Sequence, residues 1–439
     1  MLASLKSRWH RSFAELDSLA TKYAPVILCG LLAATTFQKL SLILHTDGGG
    51  DLLGADIPKS MMLIAGQNPY SSNPWASPYP PLLLATVGSI IRVTSGNITL
   101  TPDTIGLISR NVRMAGVLAD AIVALLIFLT LRTRSFSGLS ALVPSAVFLA
   151  LPSISLSPYF WFNNDVLGYP IIAGSVLALV RGRYFVGSVL LAVGAIFKIH
   201  PILAIPLLFV WLVRRGGTLK SLPIIITTGS ILLLGLVVPA ILPGYLGSVL
   251  GFNLSSGFGG GTSSFTMMNL LYAIFPAVFH FSLPTVVENQ VWLAVTVVLF
   301  VIMLGIVWSR ARELNPVDVV ALGLLTWLIP LRQIYTHYLV WAIVPFLMRG
   351  RLRQTLVVGS LLEFANTMSS WSWDLPPDPF PVMATAYGFF ATSIVYLSVS
   401  LTALVFIVKQ VGVRRRQDSR GADSAVLLER YPMPMIRPS

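Results

Sequence analysis

Three aspartates, Asp47, Asp51 and Asp56, stand within ten residues directly after an apolar run near 23–45. The stretch reads His45-Thr-Asp47-Gly-Gly-Gly-Asp51-Leu-Leu-Gly-Ala-Asp56-Ile-Pro-Lys59. Glycines let a backbone come close to a ligand. A carboxylate in such a place is the kind of group that takes the proton of an attacking hydroxyl. The chain goes on through Ala-Gly66-Gln-Asn68-Pro69-Tyr70 and Pro78-Tyr79-Pro80-Pro81-Leu82, where proline and asparagine enforce turns. The plain alternative is a solvated, turn-rich loop whose aspartates cap short helices.

The elements that must carry this loop are set by composition. Of the 439 residues, 55% are hydrophobic and 11% charged, and the mean hydropathy is +0.78. Soluble proteins carry about 25% charged residues. That balance excludes a soluble enzyme, a disordered chain and a nucleic-acid-binding domain. The single cysteine, Cys29, excludes a disulfide framework and a cysteine-rich metal site.

A membrane helix needs about 20 mostly apolar residues. Twelve such segments are read, near 23–45, 107–131, 139–152, 165–180, 184–198, 200–213, 221–241, 289–308, 316–330, 334–348, 352–366 and 385–408. Two further stretches, 80–91 and 266–281, are read as helices lying on or dipping into one face. Cytoplasmic loops favour Lys and Arg. With the N-terminus inside, the inner segments hold 23 of the 30 basic residues, leaving Lys39, Lys59, Arg92, Arg110, Arg113, Lys198 and Arg332. Both termini are therefore expected in the cytoplasm, with two long outer connections, 46–106 and 242–288. The net charge of +13 is read as this bias plus attraction to anionic headgroups. Segment 1–22 is a cytoplasmic N-terminal piece leading into an uncleaved first span, 23–408 the membrane domain, and 409–439 a disordered basic cytoplasmic tail.

The order of motifs on the outer side resembles the GT-C membrane glycosyltransferases, closest to the mannosyltransferases that use a polyprenol-phosphate sugar. An aspartate loop follows the first span, then Ala-Gly66-Gln-Asn68-Pro69-Tyr70 and Tyr79-Pro80-Pro81-Leu82. Phe197-Lys198-Ile-His200-Pro201 is similar to the family's Lys-x-x-Pro-type junction, Asn163-Asn164-Asp165 to its short polar motif, and Tyr335-Thr-His337-Tyr338 to a late aromatic–His motif. The resemblance covers most of 25–350. It implies an all-α polytopic membrane protein with a GT-C-like fold, about 12 spans and short interfacial helices in the outer loops. It implies transfer of a hexose, mannose first, from a polyprenyl-phosphate donor to a lipid, glycan or protein hydroxyl on the extracytoplasmic face of the cell membrane.

In that reading Asp51 is the favoured general base, with Asp56 close behind and Asp47 third. The leaving phosphate needs cationic stabilisation. Lys198, His200, Arg332 and Arg110 are the candidates, against plain roles as snorkelling, capping or interfacial residues. Asn68, Tyr70, Tyr79, Asp165 and His337 are the implied substrate contacts. No metal and no cofactor is expected, because a lipid-phosphate donor makes a metal less necessary than a nucleotide donor would.

Rival readings stay open. Twelve spans also suit a transporter or flippase for a lipid-linked sugar, and Lys39, Asp120 and Glu363 are intramembrane charges of the kind that mark ion pathways. Two long outer loops, outer-rim charge and the lack of an internal repeat stand against it. A third reading is an inactive subunit that binds a lipid-linked sugar. Arg113 and Asp120, seven apart, share one helix face and are as readily structural as functional. The Gly/Ser-rich stretch 251–265 is a candidate lid or a plain linker. Asn97-Ile-Thr99 fits a glycosylation sequon.

Overall fold

The computed structural model describes residues 2–46, 52–71, 79–96, 100–151, 164–251, 285–330, 336–351, 353–361, 363–364, 394 and 397–409. The described residues are helical and irregular, with no strand among them. The calls at Asp47, Asp51, Asn163, Arg332 and Tyr335, the sequon at Asn97, and the stretches 252–265, 266–281 and 410–439 lie outside them.

The principal helices are α1 Leu2–His45, α2 Ile57–Ile64, α3 Pro81–Ser95, α4 Pro102–Thr133, α5 Gly138–Ala150 and α6 Tyr169–Val180. They continue with α7 Tyr184–Phe197, α8 Ala204–Gly216, α9 Thr218–Leu232, α10 Thr285–Arg310, α11 Pro316–Leu328 and α12 Val340–Leu347. Local sequence explains their starts. Pro102 opens α4 behind Thr101, whose hydroxyl accepts from the Thr104 amide while Thr104 returns a bond. Asn315 and Asp318 cap α11 in the same reciprocal way around Pro316.

Among the described residues, four stretches are long and apolar enough to cross a membrane: Thr21–His45, Thr104–Thr133, Thr218–Ile241 and Leu293–Arg310. Other apolar segments form shorter helices, such as the 13-residue α5 and 14-residue α7. The sequence windows ran through breaks that apolar spacing does not reveal. At Lys198-Ile-His200-Pro201 and at Thr336–Leu339, a 3-10 turn separates two helices. Helix α3 forms over the 80–91 stretch, with 15 residues and a length of about 22 Å.

One continuous core runs through the bundle, with Val123, Ile127, Ala173, Val176, Leu191, Leu208, Val320 and Trp341 all buried. Helices α6 and α11 lie innermost. Every residue of α11 is buried, whereas α9 and α10 expose large apolar side chains, including Leu219, Ile226, Val298 and Val301. Exposed apolar faces of this kind belong against lipid, and the chain is a helical membrane protein.

Two buried polar ties fix α1 against α4. Lys39 donates to Asp120 at 2.7 Å, with both side chains shut off from solvent. The Arg113 guanidinium donates to the Ile43 and Thr46 carbonyls and to the Thr46 hydroxyl. Terminal carbonyls of a helix lack partners within it, and a cation there is favourable. Arg113 and Asp120 thus each tie α4 to α1, and they set where the chain leaves α1 toward the aspartate stretch. Lys39→Met is expected to cost about 3–5 kcal/mol by leaving a carboxylate buried without its ammonium. Lys39→Met with Asp120→Leu is expected to recover most of that loss. Thermal unfolding in detergent checks both, and equal loss in the double variant would contradict the pairing.

Candidate functional site

The described polar residues converge where the stretch after α1, the turn before α6 and the junction between α7 and α8 meet. Asp56 ends a π-helical turn, Leu52–Asp56, just before α2, and is 1% exposed. Asn164 and Asp165 begin the 3-10 turn Asn164–Leu167 that leads into α6. Lys198 caps α7 in extended backbone, which turns its side chain out of the helix direction before His200-Pro201 opens the next turn. Lys198 thereby leaves the helix face, while Asp56 sits where the π-helical turn runs on into α2.

The geometry is a chain of directed hydrogen bonds. Asn164 Nδ2 donates to Asp56 Oδ1 at 3.1 Å and to Oδ2 at 3.0 Å. Asn164 Oδ1 accepts from Lys198 Nζ at 3.1 Å. An ammonium has donors only, so Lys198 fixes which end of the amide faces it, and the NH2 end faces Asp56. Lys198 also forms an ion pair with Asp165, whose side chain is fully buried. The ammonium lies 5.2 Å from the Tyr79 ring centroid and 4.8 Å from that of Tyr338, within cation–π range of both.

His200 joins the group through Tyr338. Its ring centroid is 4.8 Å from Tyr338 and 5.6 Å from Trp341, and its Nδ1 accepts from Trp327 Nε1 at 3.2 Å. Thus Asp56, Asp165, Lys198, His200 and Tyr79, all expected at the site, come together. Arg110 does not join them in any described contact and is exposed on α4. His337 lies in the turn Thr336–Leu339, next to Tyr338. Among the described residues no cluster of three or more His, Cys, Asp or Glu forms that could hold a metal.

Asn68 and Tyr70, expected as substrate contacts, have structural bonds instead. Asn68 Nδ2 donates to the Pro243 carbonyl at 2.9 Å, and its Oδ1 accepts from the Tyr70 amide. The Tyr70 hydroxyl donates to the Tyr79 carbonyl at 3.0 Å. Its ring packs edge-on against Tyr245 at 5.1 Å. Burial first, and then Tyr245, push the Tyr70 phenol above its ordinary range, so it remains a donor at any physiological pH. The Asn68–Tyr70 turn therefore fastens the start of the second outer connection and holds Tyr79, whose ring lies against Lys198.

Gly244 is the tightest point of that fastening. Its φ is +83°, and a Cβ on it would lie 2.3 Å from the Tyr70 carbonyl oxygen. Gly244→Ala is expected to open the contact through both backbone strain and collision. Limited proteolysis should then cut within 242–288 at least about threefold faster, the rate for an opening that costs ~0.7 kcal/mol or more. Unchanged cleavage would contradict the fastening.

Trp327 is not singled out by the sequence, because it sits in a buried helix and reads there as core. Asn164 and Tyr338 stand within motifs of the resemblance but carry no role of their own. Only the pairing of distant segments shows what each touches. No family model matches the chain, and no curated protein matches it significantly.

Proposed function

We propose that the chain is an inverting glycosyltransferase of GT-C type, with about twelve spans and both termini in the cytoplasm. It moves a hexose, mannose first, from a polyprenyl-phosphate carrier to an acceptor hydroxyl at the extracytoplasmic face. The observation that carries this reading is the buried Asp56 carboxylate, gripped at both oxygens by Asn164, which is itself oriented by Lys198. A base held in one orientation needs little rearrangement when a hydroxyl arrives.

In the proposed step Asp56 takes the acceptor proton while the acceptor oxygen bonds to the anomeric carbon. The bond from that carbon to the phosphate oxygen breaks, and the electron pair leaves with the polyprenyl phosphate. The proton on Asp56 then returns to water. Lys198 already faces Asp165, so a dianionic leaving phosphate calls for a further cation, for which Arg332 is the candidate. Tyr79 and Tyr338 supply ring faces suited to the apolar face of a hexose.

Purified protein given a polyprenyl-phospho-[3H]mannose and an envelope lipid or glycan extract should release polyprenyl phosphate as label enters the acceptor. Label that stays on the carrier, with any of a panel of polyprenyl-phospho-hexoses, would contradict the proposal. The rival transporter reading draws on the buried Lys39–Asp120 pair between α1 and α4. It predicts movement of intact donor across a vesicle membrane with no bond broken.

A further inference from the structure

His200 is held at one nitrogen in a way that decides what the other carries. The Trp327 indole N–H donates to His200 Nδ1. An indole nitrogen is a donor only, so Nδ1 is the lone-pair nitrogen while this bond stands, and the ring proton is on Nε2. Both residues are buried, His200 2% and Trp327 4% exposed. A proton on Nδ1 would turn two donors against each other in a low-dielectric surrounding, where an unmade hydrogen bond is costly.

The helices are built to deliver this contact. Gly323 stands one turn before Trp327 on the same face of α11. A Cβ on it would lie 2.2 Å from the Cα of Ala204, the first residue of α8. The two backbones therefore meet directly, and the indole one turn on reaches the His200 turn. Tyr338 and Trp341 close two other sides of the ring.

We propose that His200 is an uncharged Nε2–H donor to an oxygen of the sugar phosphate, and that Trp327 is the positioning residue that sets its tautomer. His200 then adds a directed hydrogen bond to the donor site, and the positive charge there comes from other residues. This rests on the donor site proposed above. Among the described residues, Tyr338 from the turn before α12 lies against the ring, Lys198 on the same junction lies over Tyr338, and Asp165 from the turn before α6 is paired with Lys198. The Lys198 ammonium opposes a second positive charge on the ring, and the Asp165 carboxylate is engaged with Lys198. Of the elements packed on the His200 turn, α11 contributes Trp327 and α7 ends at Lys198, while the α8 cations, Arg214 and Arg215, lie in its last turn.

The test is 15N-histidine labelling of the full chain in lipid bilayers, the His200 signals being assigned by their loss in His200→Gln. An unprotonated Nδ1 and a protonated Nε2 are expected at pH 7, and again at about pH 5.5, where an exposed imidazole of pKa about 6.5 is mostly charged. In Trp327→Phe the same ring is expected to become imidazolium at the lower pH. An imidazolium or an Nδ1–H form in the wild type would overturn the proposal, as would a Trp327→Phe spectrum matching wild type. If Trp327→Phe does not fold, the wild-type spectrum at the lower pH decides alone. Adding polyprenyl-phospho-mannose, with binding followed by co-purification of the labelled lipid, should shift Nε2 and leave Nδ1 in place. Bound donor with an unmoved Nε2 would refute the contact. Failure of the donor to bind would count against the donor site itself and leave the tautomer standing on the first spectra.

Discussion

Asp56→Asn is expected to lower transfer by about 10²–10⁴-fold, the range for removing a positioned general base, while donor binding and thermal stability change little. The substitution is nearly isosteric. It turns one of the two carboxylate oxygens facing Asn164 into an NH2 group and so loses one of two bonds from Asn164 Nδ2. The expected cost in stability is about 1 kcal/mol, that of a single hydrogen bond. Asp51→Asn is the control that gives the result its meaning. Asp51, the first choice from sequence, lies outside the described residues, and Asp56, the described aspartate of that stretch, accepts two bonds from Asn164. Transfer lost in Asp51→Asn and kept in Asp56→Asn would move the base to Asp51.

Lys198→Met is expected to be the most damaging single change to the site's architecture. It strips the ammonium from a fully buried Asp165, a loss of about 3–5 kcal/mol for a broken buried pair. It also frees the Asn164 amide to turn over, which would set its oxygen against Asp56. Stability and activity should therefore separate under rescue. Adding Asp165→Asn to Lys198→Met should restore most of the unfolding temperature, because no charge is then left alone. It should not restore transfer, because the Asn164 oxygen has then lost the ammonium that holds it, and Asn164 and Asp56 are no longer fixed from both ends. Recovery of both together would mean that Lys198 acts only as a structural counter-ion, and that Asp56 needs no orienting chain.

How far the sequence carries is best judged residue by residue. The apolar runs at 23–45 and 107–131 are legible because length and hydropathy suffice for a helix against lipid, and α1 and α4 are there. The inner helices are less so. A run such as 319–330 is almost entirely apolar because α11 is buried on every side, and a buried helix has no periodicity from which to read its ends. Chemistry at the 165 and 198–200 breaks was legible, since polar residues sit next to Gly or Pro between apolar runs. The Asn68–Tyr70 turn was legible as a motif but not in its work, because its partner Pro243 lies 175 residues away. Trp327 was illegible for a like reason. An indole inside a core helix shows its single polar atom only when the acceptor, His200, is in view.

The most direct measurement of the central claim is bond breaking by purified wild-type protein in detergent, where no membrane separates two compartments. Polyprenyl-phospho-mannose and the other hexose donors would be offered with an envelope extract, and products weighed by mass spectrometry beside Asp56→Asn. The account predicts free polyprenyl phosphate and a hexose-extended acceptor with wild type, and neither above background with the variant. Intact donor throughout, or equal product with Asp56→Asn, would contradict it, and the first of these would bring the transporter reading forward.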